Sequence, residues 1–449
     1  MSKKFRTVDH VATLDSSIRL GDCLPPAHLA CFVVDLIAQL DLTSFYAHYS
    51  KKGGPAYDPQ MLLGLLFYAY ATGIFSSRHL ERATYEQIPF RYLAGNLHPD
   101  HDTLANFRKT FLPQLKELFV QILLLAQTAG VLKLGNISLD GTKIQADASK
   151  SRAVSYKRLL ELEVQLQADV AALFAKVEAG DQPDGLVLAD EIELRQSRLE
   201  RLAVAKAVLV ARAQARDAQA QAEYEAKLAE REAKARAKGQ QPRGRTPKPP
   251  TLGPRDHDQY NYTDPTSRIM KNSTNGGFGQ SYNAQLAVSQ DKLLIVGYSL
   301  SNHPNDQAEI GPTLAAIPSQ LGQPSAAALD NGYFSAANVA LLGEAGIEAY
   351  IATGRYPDHP SWRSYFEQAP VPPADEASPK IKMAYKLQSE EGRAIYKLRK
   401  STVEPVIGII KEVLGFRQFS LRGLAAVLGE WCLVCLAFNI KRLHQLGLG

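Results

Sequence analysis

Apolar residues over roughly the first 130 positions recur at helical spacing. Asp58-Pro59 reads as an N-cap followed by proline at the first helical position, and Met61, Leu62, Leu65, Leu66, Tyr68 and Ala69 then fall on helical repeats. Ser76 and Ser77 follow a Thr-Gly break and can cap the next helix, which carries Leu80 and Ala83. The run Pro99-Asp100-His101-Asp102-Thr103 caps a third, with Leu104, Phe107 and Phe111 on one face and Arg108 and Lys109 on its other side. Short helices with tight joints fit a helix-turn-helix module and a plain helical bundle equally well.

The pattern changes at residues 137–147, where partial alternation predicts a strand ending at Asp140, a bend at Gly141 and a second short strand. Residues 151 to 237 are helical and polar. Leu159, Leu166 and Leu173 are seven apart, with Leu162, Val170 and Val177 at offset positions and Asp169 spoiling a strict heptad. After a break at 178–185, a second arm carries Leu199, Leu202, Leu209, Ala213 and Ala220, interrupted by Lys206 and Arg216. Two arms around one turn predict an antiparallel helical hairpin; the alternative is two solvated helices that do not pair. Residues 238–254 are rich in Pro, Gly and basic residues and read as an extended linker. Strands return at 282–288 and 293–300 as a hairpin, followed by a helix over 306–320, a strand at 326–330, a helix over 335–345 and a strand at 348–352. Residues 356–380 are Pro-rich and loop-like, and the remainder is mostly helical, with an apolar end at 431–438.

At 449 residues the chain is long enough for about three domains. With 45% hydrophobic and 22% charged residues it is globular, which excludes a mainly disordered chain. No run of eighteen apolar residues and no apolar leader core occurs, and four cysteines cannot form a disulfide scaffold; a cytoplasmic protein without a membrane partner is expected. The net charge is only +5, but it is unevenly placed. Between Arg236 and Arg255 there are six basic residues and no acid, and from Lys380 onward twelve basic residues face five acids. Two basic zones on a near-neutral body fit a polyanionic partner.

Strands and helices in this order suit a mixed sheet with a large insertion after its first strand. Asp140 and Asp330 stand at the ends of apolar strands, each with a glycine within two residues, Gly141 and Gly332. Glu404 begins a helical stretch in which Pro405 fits the first turn. Three acids converging on one point ionise together only beside a cation, and hard oxygen donors favour Mg²⁺. Two such ions about 4 Å apart clamp the attacking and leaving oxygens of an in-line phosphoryl transfer. Taken one by one, the aspartates are equally ordinary strand-end turn formers and the glutamate a helix-start acid. On a continuous helix Glu404 and Lys411 lie two turns apart on one face, and Tyr396, Arg399 and Lys400 precede them. That face is either a DNA-phosphate grip beside a metal or a plain solvated surface. Asn106 and Arg108 suit base edges and Lys109 a phosphate. Asp147, Asp264 and Asp306 are spare acids, while Cys432-x-x-Cys435, Cys23, Cys31, His98 and His101 lack the context of a zinc site.

Several stretches together resemble one family. YDPQMLLGLLFYAYATGIFSSRHLE with HPDHDTLANFRKTF, then SLDGTKIQADASK, then ALDNGYFSAANVALLGEAGIEAYIATGR, then YKLRKSTVEPVIGIIKEVLGFRQFSLRGLAAVLGEWCLVCLAFNIKRL are similar to blocks of bacterial insertion-sequence transposases of the DDE class. The resemblance covers nearly the whole chain. It implies an α+β (α/β) fold: a ribonuclease H-like mixed sheet with helices, an N-terminal all-helical DNA-binding domain and an inserted helical hairpin. The corresponding domains are 1–130, 131–150 with 256–449, and 151–255 for the hairpin and basic linker. It assigns Asp140, Asp330 and Glu404 to two Mg²⁺ ions, with Mn²⁺ as a substitute. Of the family's Tyr-Arg-Glu-Lys signature, Tyr396 and Arg399 keep their mutual spacing and Glu404 and Lys411 theirs. Arg399 lies one residue further from Glu404 than the common pattern, with Lys400 at the nearer place, so either can be the phosphate grip. The implied activity is two-metal strand cleavage and strand transfer at terminal inverted repeats, by a homodimer pairing two ends of double-stranded DNA before joining them to a target. A metal nuclease of the same fold that never joins ends, and an inactive DNA-binding regulator, are the rival readings.

Overall fold

The computed structural model describes residues 5–10, 13–15, 18–50, 54–178, 185–237, 239, 246–271, 277–354 and 372–448. Nearly all of the expected break at 178–185, Lys238, Arg243 and Arg245 of the basic linker, and the first part of the Pro-rich loop lie outside the described residues. The chain divides into two compact units, residues 1–147 with 266–449, and residues 148–265. No division falls near residue 130, so the N-terminal helices and the sheet share one unit.

In that unit, after a short ribbon of β1 (Thr13–Asp15) and β2 (Ile18–Arg19), come α1 (Leu29–Ile37), α2 (Thr43–Tyr46), α3 (Pro59–Ala71), α4 (Ser77–Glu86), α5 (Ile88–Leu93) and α6 (His101–Thr128). Asp58 caps α3 by accepting from the Gln60 amide at 2.8 Å, with Pro59 in the first turn. Every α3 residue except Gln60 is buried, as expected of a helix apolar on all sides. Asp100 caps α6, accepting from the Thr103 amide and hydroxyl at 2.8 and 2.7 Å.

β3 (Ile137–Gln145) follows as one strand of nine residues, with no bend at Gly141. Its length is set by a partner distant in sequence, β7 (Phe278–Ser289), which pairs with it antiparallel from Ile137↔Ser289 to Gln145↔Ser281. β6 (Arg268–Lys271) and β8 (Ile295–Ser301) share the other edge of β7. On the far side of β3 lie β9 (Ala326–Leu329) and β10 (Glu348–Ile351), both parallel, giving the order β10-β9-β3-β7-β6 with β8 on β7. Between β8 and β9 the helix expected over 306–320 shortens to α9 (Ile310–Ala315) and a 3₁₀ turn, Ser319–Leu321, and between β9 and β10 Ser335 caps α10 (Ala336–Glu344). α11 (Pro379–Gln388), α12 (Glu390–Gly408), a π-helical turn (Ile409–Val413) and α13 (Leu424–Gln445) complete the unit.

α13 is the one helix among the described residues long and apolar enough to cross a membrane, and two thirds of its most apolar stretch is buried inside the protein. It packs on β8, α3 and α6. At this junction the sequence reading of Arg108 is corrected. Arg108 is not a DNA-facing side chain but a buried one, donating to the Tyr70 hydroxyl at 2.8 Å and the Phe75 carbonyl at 3.1 Å. Tyr70 in turn donates to Glu430 of α13 at 3.2 Å, and Glu430 also accepts the Ser420 and Leu421 amides at 2.9 and 3.0 Å. Removing one member of a buried charged set leaves the others uncompensated. Arg108→Met is therefore expected to lower stability by about 3 kcal/mol in urea unfolding while leaving the salt slope of DNA binding unchanged.

The second unit consists of β4 (Ala153–Ser155), α7 (Tyr156–Glu178), α8 (Gly185–Ala237) and β5 (Gln259–Asn261). The two arms pair. Leu159 meets Leu202, Ala205 and Leu209 in a buried cluster with Val154 and Tyr260, and Leu162 and Leu166 pack against it. The charges that seemed to interrupt the seam have partners. Lys206 donates to Glu163 of the opposite arm at 2.7 Å, and Arg216 donates to both oxygens of Asp258 at 3.1 and 3.0 Å. β4 and β5 pair antiparallel, Ala153 opposite Asn261 and Ser155 opposite Gln259, so the chain enters and leaves this unit through one clasp.

Candidate catalytic site

β3 and β9 run parallel, in register at Ile137↔Ala327 and Ser138↔Ala328. Carried on two residues, this register sets Asp140, partway along β3, level with Asp330, which directly follows the last residue of β9. Each carboxylate accepts a backbone amide from its own segment. Asp140 Oδ1 accepts the Gly141 amide at 2.8 Å, and Asp330 Oδ1 accepts the Gly332 amide at 2.8 Å, capping a 3₁₀ turn, Asn331–Tyr333.

α12 brings the third acid. Ser389 caps it at the Gly392 amide, so the helix begins at Glu390, well before Glu404, and Pro405 lies inside the helix. Thr402 fastens this turn to the sheet by donating to the Ser138 hydroxyl at 2.8 Å. Arg399 then spans two of the acids. Its Nη1 donates to Asp140 Oδ2 and its Nη2 to Glu404 Oε1, each at 3.0 Å. The side chains grade in depth: Arg399 is 9% exposed, Asp140 18% and Glu404 47%. Burial pushes the Asp140 carboxyl up to about 6; Arg399 opposes that rise and the neighbouring Asp330 charge adds to it. Burial pulls the Arg399 guanidinium down, but the charges of Asp140, Tyr396, Glu404 and Asp330 outweigh it and hold it above its ordinary value.

The other expected residues fall in different places. Tyr396 is half-buried against the Ala326, Ala328 and Tyr350 cluster, and the Arg399 guanidinium lies 6.0 Å from its ring centre. Lys400 is exposed, so of the two alternative cations it is Arg399 that faces the acids. The helix carrying Glu404 is not a continuous α-helix as far as Lys411, because α12 ends at Gly408. Lys411 sits in the π-turn and donates to the Thr142 hydroxyl at 2.9 Å and the Lys143 carbonyl at 3.3 Å, on the strand that carries Asp140. Burial lowers its pKa. Asn106 and Lys109 are exposed on α6. Asp147 pairs with Arg422 at 2.8 Å near the surface, and Asp264 belongs to the 148–265 unit.

Sequence reasoning passed over Lys143, Asn283, Gln285 and Tyr333, which with Asp306 adjoin the acids from the opposite sheet face. A signal was present: Asn283 and Gln285 are polar residues two apart on one face of a buried stretch whose other face carries Tyr282, Ala284 and Leu286.

Cys432 and Cys435 are buried thiols of α13, His98 stacks on Tyr85 and His101 pairs with Glu81. Among the described residues no group of three or more His, Cys, Asp or Glu side chains stands ready around one point. Asp140 and Asp330 still fit a hard divalent cation. Their donors are all carboxylate oxygens, their charges are close enough to raise Asp140, and a cationic guanidinium already balances Asp140 and Glu404.

Residues 18–110 match a family described as a transposase domain (DUF772), and residues 373–444 match a transposase DDE domain. Neither the curated proteins nor the solved structures give a match. A mixed sheet flanked by helices, with acids level on two adjacent strands and an N-terminal helical region, is the α+β, ribonuclease H-like arrangement of that class. The two matches support an insertion-sequence transposase of the DDE class, an enzyme that acts on DNA. Enzymes of this class use divalent metals.

Proposed function

We propose that the protein binds the terminal inverted repeats of its element, cleaves the strands there and joins the 3′-OH ends to target DNA. The observation that carries this reading is the side-by-side placement of Asp140 and Asp330 with Arg399 spanning from Asp140 to Glu404. In this reading Asp140, Asp330 and Glu404 hold two Mg²⁺, for which Mn²⁺ can substitute. The bound ions would supply an activated water or 3′-OH and neutralise charge on the phosphate. The chain's own side chains do the rest. Arg399 keeps the deep carboxylate ionised and presents a fork that matches phosphate oxygens. Tyr396 packs beside that fork, Lys411 ties the helix to β3, and the exposed Lys400 reaches backbone phosphates beyond the site.

The working state is a homodimer pairing two ends, in the bacterial cytoplasm on nucleoid DNA, with no membrane partner. Labelled DNA carrying the element's own ends, incubated with Mg²⁺, tests the proposal. Joined product is expected; cut ends alone would favour a nuclease, and bound uncut DNA a regulator.

Asn106 and Lys109 are proposed to read the ends. The test belongs in the full chain, because α3 and α6 pack on α13 and a fragment of residues 1–130 would lack it. Asn106→Ala with Lys109→Ala is expected to lower the preference for end over random DNA about tenfold in competition binding at physiological salt. Unchanged preference would move sequence reading elsewhere.

A further inference from the structure

We propose that Asp306 is a positioning residue that holds the Asp140 and Asp330 segments in their working arrangement, an inference that rests on the metal-dependent reading above. Alternation along β3 turns Asp140 toward α12, and turns Gly141 and Lys143 to the opposite sheet face. On that face Gln285 stands directly across from Gly141, and Asn283 across from Lys143. Asp306 gathers all three polar side chains. Its Oδ1 accepts from Asn283 Nδ2 at 2.7 Å, Gln285 Nε2 at 2.9 Å and Lys143 Nζ at 3.1 Å.

Two glycines show how closely this cluster presses on the acid-bearing backbone. A Cβ on Gly141 would stand 2.2 Å from Gln285 Nε2 and 2.8 Å from Asp306 Oδ1. A Cβ on Gly332 would stand 3.1 Å from Asp330 Oδ1 and 3.7 Å from Asp306 Oδ2. The Asp306 carboxylate therefore lies between the backbone just after Asp140 and the backbone just after Asp330, one oxygen toward each. A second link runs through Gln285, whose Oε1 accepts the hydroxyl of Tyr333, the fully buried last residue of the turn that Asp330 caps.

Two adjacent carboxylates repel, and their backbones separate unless something holds them. Asp306 does so without adding to the repulsion, because Lys143 cancels its charge. With Oδ1 occupied by three donors, Asp306 acts through Gly141, Gln285 and Tyr333. Its part is to orient the groups that bind metal, a role that elsewhere is worth about 10–100-fold in affinity.

The test uses the full chain with Mn²⁺ alone, free ion being measured by electron paramagnetic resonance, with thermal unfolding of each variant alongside. Asp306→Leu is expected to weaken Mn²⁺ binding about tenfold, and Asp306→Asn, which keeps an acceptor for the amides, to recover most of that loss. Tyr333→Phe, which removes only the Gln285 link, is expected to fall between wild type and Asp306→Leu, and it serves with Asp306→Asn if the leucine variant does not fold. Asp140→Asn is the control that loses binding. Wild-type Mn²⁺ affinity in the folded Asp306 and Tyr333 variants overturns the inference alone. Absence of Mn²⁺ binding by the wild-type chain overturns the metal reading and this inference with it.

Discussion

Asp140→Asn is expected to reduce Mg²⁺-dependent cleavage of end DNA by more than about a hundredfold, the upper end of what even outer partners of a metal contribute. End binding should stay within about twofold of wild type, since a change of this size in affinity is under 0.5 kcal/mol. The substitution is nearly isosteric and leaves Arg399 its second partner, Glu404, at 3.0 Å, so the fold around the site has no reason to move. What it removes is an anionic oxygen pair that lies deeper than that of Glu404. Asp330→Asn and Glu404→Gln should act in the same direction. Glu404, 47% exposed, is nearest to solvent, and its variant should be the one best relieved by raising the metal concentration. Single-turnover cleavage with gel-shift binding on the same DNA measures both quantities. A wild-type rate in any of the three variants removes that residue from the site.

The second large effect concerns the inserted unit. Removing residues 148–265 and joining Asp147 to Thr266 through a flexible Gly/Ser linker of roughly eight residues should leave the remaining unit folded. These cut points differ from the 151–255 boundaries read from sequence, because β5 at Gln259–Asn261 belongs with β4 and would otherwise be orphaned. The deleted chain is expected to bind single ends but to form paired-end complexes at least tenfold less well, with a shallower dependence on salt. The reason lies in charge: six basic residues between Arg236 and Arg255 stand without an acid, and each phosphate neutralised adds to the salt slope. Native gels across a salt series would settle it. Paired complexes of wild-type yield and slope would make the insertion a passive spacer.

What the sequence disclosed and what it hid follow from how far apart the deciding residues are. The cap at Asp58 was legible, and that of α6 to within the run Pro99–Thr103, because cap and amide lie within three residues. The strand at 326–330 was legible as a short continuous apolar run, and the hairpin at 282–300 as two β-rich runs around a turn. The bend expected at Gly141 was wrong because glycine serves there for close approach: Gln285, opposite it on β7, leaves no room for a Cβ. Pro405 was read as the start of a helix, although Ser389 had already supplied the cap. Arg108 looked outward because a helical pattern treats a cation as surface. Its partners, Tyr70 and Glu430, come from α3 and α13, and nothing near Arg108 in sequence announces them. Lys411 was placed by counting residues along an α-helix, and the π-turn changes that count.

The β4–β5 clasp bears on the order in which the chain folds. β3 cannot form its ladder until Ser281–Ser289 arrives, and the whole inserted unit separates the two strands in sequence. Closing so long a loop as random coil would slow nucleation of the sheet, because loop entropy is lost before any strand contact forms. The insertion is helical, its arms pair with each other, and its ends meet at Ala153↔Asn261. Once it has formed, the effective loop shrinks to the two short stretches from Gln145 to Ala153 and from Asn261 to Ser281. A segment that lengthens the chain thus becomes, when folded first, the device that brings the two central strands within reach of one another.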